Sequence, residues 1–97
     1  TPARLPLFPD APTFKELGKD FVYFMQRTVV GAPGMSKEAA TYYRQLFAQI
    51  YGSDEWQGYM TKKSLQGGYL TGDMLMKYWL REKAVHKIML QKMGVLN

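Results

Sequence analysis

The chain has 97 residues, enough for one small domain, and its aromatic content (seven Tyr, five Phe and two Trp) argues against a disordered polypeptide. It contains no cysteine, which excludes disulfides, zinc–thiolate sites and thiol catalysis. The net charge of +5 is spread evenly, with +2 on residues 1–52 and +3 on residues 53–97, so a clustered phosphate-binding surface is not expected.

Residues 1–20 are predicted to form a linker that runs into a short helix. Four prolines fall within residues 1–12, and each proline restricts its own backbone and that of the residue before it. Thr13 and Glu16 have the T-x-x-E spacing of a capping box. Gly18 is predicted to end this helix after little more than one turn.

Residues 21–31 (FVYFMQRTVVG) are predicted to form the main strand. The segment is rich in aromatic and β-branched residues and nearly continuously apolar, which is typical of a strand buried on both faces in an α/β sheet. Gln26, Arg27 and Thr28 interrupt the apolar run. Polar groups within a buried strand need partners or water, so this interruption marks the place where a cleft is expected.

The turn that follows the strand raises the question of a nucleotide site. Gly31–Lys37 (GAPGMSK) lies between a predicted strand and a helix, as a phosphate-binding loop does. A P-loop places lysine directly after its second glycine, whereas here two residues intervene and the order of serine and lysine is reversed. An ordinary turn with a helix cap is therefore favoured over a nucleotide site.

Residues 36–97 are predicted to be mainly helical. Ser36 is the expected N-cap of a helix that Gly52 ends, and Ser53 is the expected N-cap of the next. Residues 64–70 (SLQGGYL) could form a short edge strand. A final helix is predicted from Thr71 to about Met93, with Gly94 closing it.

No set of residues suggests an enzyme. The single histidine, His86, follows Glu82 by four positions, a spacing that suits a structural pair on a helix. No second histidine or cysteine accompanies it, and no carboxylate pair or nucleophile elbow is present. The seven methionines are explained better by helix packing than by a plastic binding groove. The sequence therefore predicts no catalytic residue, no cofactor and no metal site.

The segment Pro9–Gly18 carries a resemblance to a known family. It matches the pattern P-D-x-P-T-x-x-E-x-G, which resembles the last third of solute receptors of the tripartite tricarboxylate transporter family, the TctC or Bug type. The following strand, the Pro/Gly corner at 31–34, the acidic helix start at 53–60 and the turn Leu70–Asp73 are similar to that family in the same order. Gln26 stands where many members have tryptophan, and Ser36 where many have proline.

The resemblance implies an α/β fold, specifically the C-terminal portion of a type II periplasmic-binding-protein fold. Residues 1–97 would then be a single C-terminal fragment, with 21–31 as a crossover strand and 36–97 as a helical remainder. It implies a non-enzymatic periplasmic receptor, exported by a signal upstream, that delivers a small carboxylate to the large and small membrane subunits of a transporter. Most of the ligand-gripping loops would lie upstream. Tyr23, Gln26 and Arg27 are the candidate ligand-binding residues, although packing of the crossover strand is the favoured role for them.

The fragment interpretation leads to one further expectation and leaves one alternative. Because a strand buried on both faces lacks neighbours in this chain, the isolated 97 residues are expected to self-associate by exchanging the N-terminal segment or the strand. The alternative to a receptor is a small, basic, helical interaction module that binds an acidic protein or nucleic acid through its final helix. For the receptor itself, no nucleic-acid partner is expected.

Overall fold

The computed structural model describes the whole chain, Thr1–Asn97, and contains three α-helices and no strand. The helices are α1 (Lys37–Gly52), α2 (Asp54–Lys62) and α3 (Gly72–Lys92). The chain divides into two compact units, one of residues 1–67 and one of residues 68–97. The first unit contains α1 and α2, which contact each other, and the second contains α3.

The predicted α/β fold is wrong, because the crossover strand expected at residues 21–31 does not form. Residues 24–31 make no backbone–backbone hydrogen bond, and every residue from Phe21 to Gly31 is exposed. A strand is stabilised by a ladder of hydrogen bonds to a neighbouring strand. The chain offers no such neighbour, so a segment with strong strand character remains irregular.

The short edge strand expected at residues 64–70 is also absent. Ser64 has φ 53° and Gly67 has φ 121°, both on the positive side of φ that a strand does not use. Ser64 instead closes α2: its amide donates to the carbonyl of Thr61, and the amide of Leu65 donates to the carbonyl of Met60. This is the Schellman pattern of a helix end, formed here by serine where glycine is usual.

The N-terminal segment folds into a single stapled turn. Thr13 and Glu16 form the predicted capping box, with the Thr13 amide 3.1 Å from Glu16 Oε2 and the Glu16 amide 3.2 Å from Thr13 Oγ1. Gly18, at φ 76°, closes the turn, and the amide of Lys19 donates to the carbonyl of Phe14. The expected short helix is thus reduced to one turn that is capped at both ends.

The predicted helix boundaries agree with the structure. Ser36 Oγ accepts a hydrogen bond from the amide of Ala39 at 3.1 Å, and α1 ends at Gly52. Thr71 precedes α3 but makes no side-chain cap bond. Gly94, at φ 73°, terminates α3 with the same Schellman pattern, in which the amide of Val95 donates to the carbonyl of Leu90.

The chain differs from a typical globular protein most clearly in how little of it is buried. No hydrophobic side chain is buried, and Thr13 is the single buried residue. The chain exposes 8477 Å². A fully packed protein of 11.2 kDa is expected to expose about 5,700 Å². Since burial of apolar surface supplies most of the free energy of folding, the chain by itself gains little of that free energy.

Candidate functional site

The three residues predicted to bind a carboxylate lie in the irregular segment before α1. Tyr23, Gln26 and Arg27 are all exposed, and no helix or strand orients their side chains. A ligand site needs polar groups held at fixed positions, which in proteins is usually achieved by packed elements. Their role as ligand contacts therefore stays a prediction.

A better-ordered feature is the corner where α1 turns into α2, built around Ser53. The Ser53 amide donates to the carbonyl of Ile50 at 3.1 Å, and its hydroxyl donates to the same carbonyl at 2.7 Å. The hydroxyl oxygen also accepts from the amide of Trp56 at 3.2 Å. One serine thus closes the end of α1 and caps the start of α2.

Two longer side chains reinforce this corner. Gln57 Nε2 donates to the carbonyl of Tyr51 at 2.6 Å, so α2 satisfies an acceptor that the last turn of α1 leaves open. The hydroxyl of Tyr51 donates to the carbonyl of Gly67 at 3.2 Å. These bonds hold the two helices of the corner in one arrangement.

A shallow groove of about 500 Å³ opens at this corner, and we call it the corner groove. Trp56 and Tyr59 of α2 stack in it at 5.4 Å between ring centroids and an interplanar angle of 29°. The groove is mainly apolar, but it is too open to enclose a small molecule as a buried ligand site does. Its lining residues are Leu46, Gln49, Ile50, Ser53, Glu55, Trp56 and Tyr59.

The corner groove was not predicted from the sequence. Leu46 and Ile50 fall on the apolar stripe of α1, and Trp56 and Tyr59 are recognisable as packing residues of α2. The spacing of apolar residues does not specify the angle between α1 and α2, and this angle brings the side chains together. Ser53 was the feature of the sequence that could have indicated the corner. A residue that ends one helix and caps the next leaves room only for a tight corner between them.

Helix α3 carries an exposed stripe of three apolar and three basic residues, which we call the basic stripe. Its members recur at intervals of three and four residues and therefore share one helix face. Arg81 also lies over the ring of Tyr78, with its guanidinium carbon 5.9 Å from the ring centroid. The stripe consists of Met74, Lys77, Arg81, Val85, Ile88 and Lys92, all exposed.

The helices differ in charge. Helix α3 has five basic and two acidic side chains, a net charge of +3, whereas α2 has Asp54, Glu55 and Lys62, a net charge of −1. Asp54 and Glu55 lie in the first turn of α2, beside or within the corner groove. The groove is therefore mainly apolar with one acidic lining residue, Glu55, and the stripe combines apolar and basic side chains.

The single histidine of the chain, His86, lies on α3 beside Glu82. His86 Nδ1 is 2.7 Å from the carbonyl oxygen of Glu82 and 3.9 Å from its carboxylate, a local pair one helical turn apart. No group of three or more His, Cys, Asp or Glu side chains is placed to hold a metal ion.

None of the helices combines the length and apolar character that crossing a bilayer requires.

Comparison of the chain with protein-family models, with curated proteins and with solved structures gave no match.

Proposed function

We propose that this chain is a non-enzymatic part of a periplasmic solute receptor that delivers a small carboxylate to a tripartite tricarboxylate-type membrane transporter. The proposal joins the ordered resemblance of Pro9–Gly18 and the later motifs with one physical observation. That observation is the absence of any buried hydrophobic side chain. Exposed apolar surface of this extent is expected to be covered by another polypeptide segment. In a larger receptor, the remaining part of the receptor would cover it.

The N-terminal turn supports the same proposal. In the segment that resembles the receptor family, the Thr13 and Glu16 pair is locked reciprocally, and Arg4 binds the Glu16 carboxylate from outside the turn. These bonds give the motif a structural purpose, because they hold the chain in a fixed turn before residues 21–31. A fixed turn before residues 21–31 reduces the conformational freedom that these residues would lose when the complete receptor binds its ligand.

Arg27 is the candidate counter-ion for the carboxylate. Its guanidinium can bind both oxygens of a carboxylate through two parallel hydrogen bonds, a geometry that lysine cannot offer. Tyr23 and Gln26 would add neutral hydrogen bonds. Domain closure around the ligand is the mechanism that the resemblance implies.

A thermal-shift screen of the complete natural gene product tests this function. The ligands are dicarboxylates, tricarboxylates, acidic amino acids and aromatic acids, and the isolated 97 residues serve as the comparison. A ligand at a hundred times its Kd adds about 2.7 kcal/mol to the stability of a competent receptor. We expect a shift in the gene product and none in the isolated chain.

Two variants of the gene product make the screen specific. Arg27→Gln is expected to weaken carboxylate binding by at least about tenfold, the loss typical of a charge-assisted bidentate contact. Lys63→Gln removes an equal charge from the exposed end of α2 and is the matched control, for which no change is expected. Absence of a shift with every acid tested would contradict the receptor function.

A second candidate function is an interaction module that binds an acidic protein through α3. The net charge of +3 on this helix and the exposed apolar members of its stripe favour it. Such a module predicts an affinity that falls with added salt, since exposed charges are screened. Binding to nucleic acid with a steep salt dependence would instead indicate the nucleic-acid form of this alternative.

A further inference from the structure

We infer that the chain pairs with a second copy of itself, and that the basic stripe of α3 in one copy occupies the corner groove of the other. This inference concerns the isolated chain and goes beyond the receptor function, on which it does not depend. A two-fold arrangement makes the contact twice, since each copy has one groove and one stripe. The resulting assembly is a closed dimer.

The two surfaces are chemically complementary. The groove presents Leu46, Ile50, Trp56 and Tyr59 with Glu55 at its edge. The stripe presents Met74 at its start, and Val85 and Ile88 between the basic residues Arg81 and Lys92. An apolar helix face that lies in an apolar groove is a common mode of recognition. The charges at the edges then set the orientation and suppress wrong partners.

The helices that carry these surfaces have opposite charges. Helix α2 is negative overall and α3 is positive, so the most acidic helix of the chain matches its most basic one. Arg81 stands at the middle of the stripe, between Lys77 and Val85. In the proposed pair its guanidinium faces Glu55, the acidic residue that lines the groove, while the apolar members of the stripe contact the groove.

The area available for burial matches that of a stable dimer. The exposed surface of the chain, 8477 Å², exceeds that of a packed protein of its mass by about 2,800 Å². Obligate dimers bury about 2,000–5,000 Å² or more in total, half of it from each copy. An interface at the upper end of that range therefore removes most of the excess from each chain.

The distribution of apolar and basic side chains on α3 favours binding to a protein groove over binding to a membrane surface. Helices that lie on membranes segregate apolar and basic side chains onto opposite faces. In the basic stripe the two kinds share one face, and Met76 and Leu80 are exposed at 53% and 60% outside it. This mixed face fits a groove that is mainly apolar and that Glu55 also lines.

Light scattering coupled to size-exclusion chromatography over a concentration series tests the pairing. The unmodified chain is expected to move from monomer to dimer as its concentration rises. Ile88→Lys, in the stripe, is expected to raise the dimer dissociation constant by at least about tenfold, as loss of a buried apolar contact does. Leu80→Lys, at an exposed apolar residue outside the stripe, is the matched control and is expected to leave it unchanged.

A charge exchange identifies the two contacting surfaces without relying on a change in packing. Glu55→Lys and Arg81→Glu each change the ion pair in both contacts of their own dimer. Each is therefore expected to weaken self-pairing about four- to twenty-fivefold, the square of the two- to fivefold effect of one exposed ion pair. A mixture of the two variants restores pairing, because the new lysine in the groove of one copy then faces the new glutamate in the stripe of the other. The second contact of that mixed dimer keeps both original residues. Circular dichroism checks that each variant keeps the helix content of the unmodified chain.

Three results would overturn the inference. The first is a chain that stays monomeric at the highest concentration. The second is a dimer that Leu80→Lys weakens as much as Ile88→Lys does. The third is a mixture of Glu55→Lys and Arg81→Glu that pairs no better than either variant alone. Because none of these measurements involves a carboxylate ligand, failure here is separate from failure of the receptor function.

Discussion

Arg4 donates its Nε hydrogen bond to both carboxylate oxygens of Glu16, at 2.9 and 3.1 Å, although the two residues are twelve positions apart. The same guanidinium donates through Nη1 to the carbonyl of Pro9 at 2.8 Å. The Glu16 carboxylate in turn receives the amide of Thr13. A single ion pair thus connects the proline-rich start of the chain to the turn that follows it.

Replacing Glu16 should loosen this whole segment. Glu16→Ala removes the ion pair with Arg4 and the capping-box bond from the Thr13 amide, whereas the bond from the amide of residue 16 to Thr13 Oγ1 remains. We expect a loss of about 0.5–1 kcal/mol in the stability of the turn. Both side chains of the ion pair are 43% exposed, so most of this loss comes from the capping box. Amide hydrogen exchange at Gly18 and Lys19 measures the effect. Glu38→Ala, which removes an exposed acid from α1, is the control, and an equal effect there would contradict this account.

Ser53 is predicted to be the most sensitive cap. Ser53→Ala removes the hydroxyl bonds to both Ile50 and Trp56, so we expect a loss of about 1–2 kcal/mol, the upper range for one cap. Thr71→Ala is the matched control, because the Thr71 side chain makes no cap bond and its loss should be near zero. Urea unfolding followed by circular dichroism compares the two. Equal losses would show that the corner does not depend on this hydroxyl.

Ser64 and Gly94 occupy the same position of the same helix-ending pattern, but with different residues. Ser64 has φ 53°, which a side chain disfavours, whereas glycine adopts it freely. Ser64→Gly should therefore stabilise the end of α2 by about 0.5–1 kcal/mol. Gly94→Ser should destabilise the end of α3 by a similar amount. Thermal melts of both variants check the opposite signs, and a shared sign would refute the interpretation.

The irregular segment before α1 predicts an exchange pattern. The amides of residues 24–30 donate no backbone hydrogen bond, so their exchange in the isolated chain should be close to that of an unstructured peptide. Amides in the middle of α1, such as those of Tyr43 and Phe47, should exchange more slowly. Hydrogen exchange read by mass spectrometry distinguishes the two regions. Strong protection at Phe24 and Met25 would contradict the absence of pairing.

Much of the local structure was predictable because its signals are local. The capping box at Thr13 and Glu16, the N-caps at Ser36 and Ser53, and the helix end at Gly94 all depend on bonds between residues at most five positions apart. Such bonds form whenever the residue types are correct, whatever the remainder of the chain does. The error at residue 64 has the same origin, because serine is not the usual residue at a left-handed helix end.

The sequence by itself determined where α1 and α3 begin and end, where α2 begins, and which residues carry charge. Tertiary structure decided three things: that residues 21–31 form no strand, that Leu46, Ile50, Trp56 and Tyr59 meet in one groove, and that no hydrophobic side chain is buried. The physical reason is distance along the chain. Helix ends are stabilised by neighbouring residues, whereas a strand and a core are stabilised by partners elsewhere in the polypeptide or in a second one.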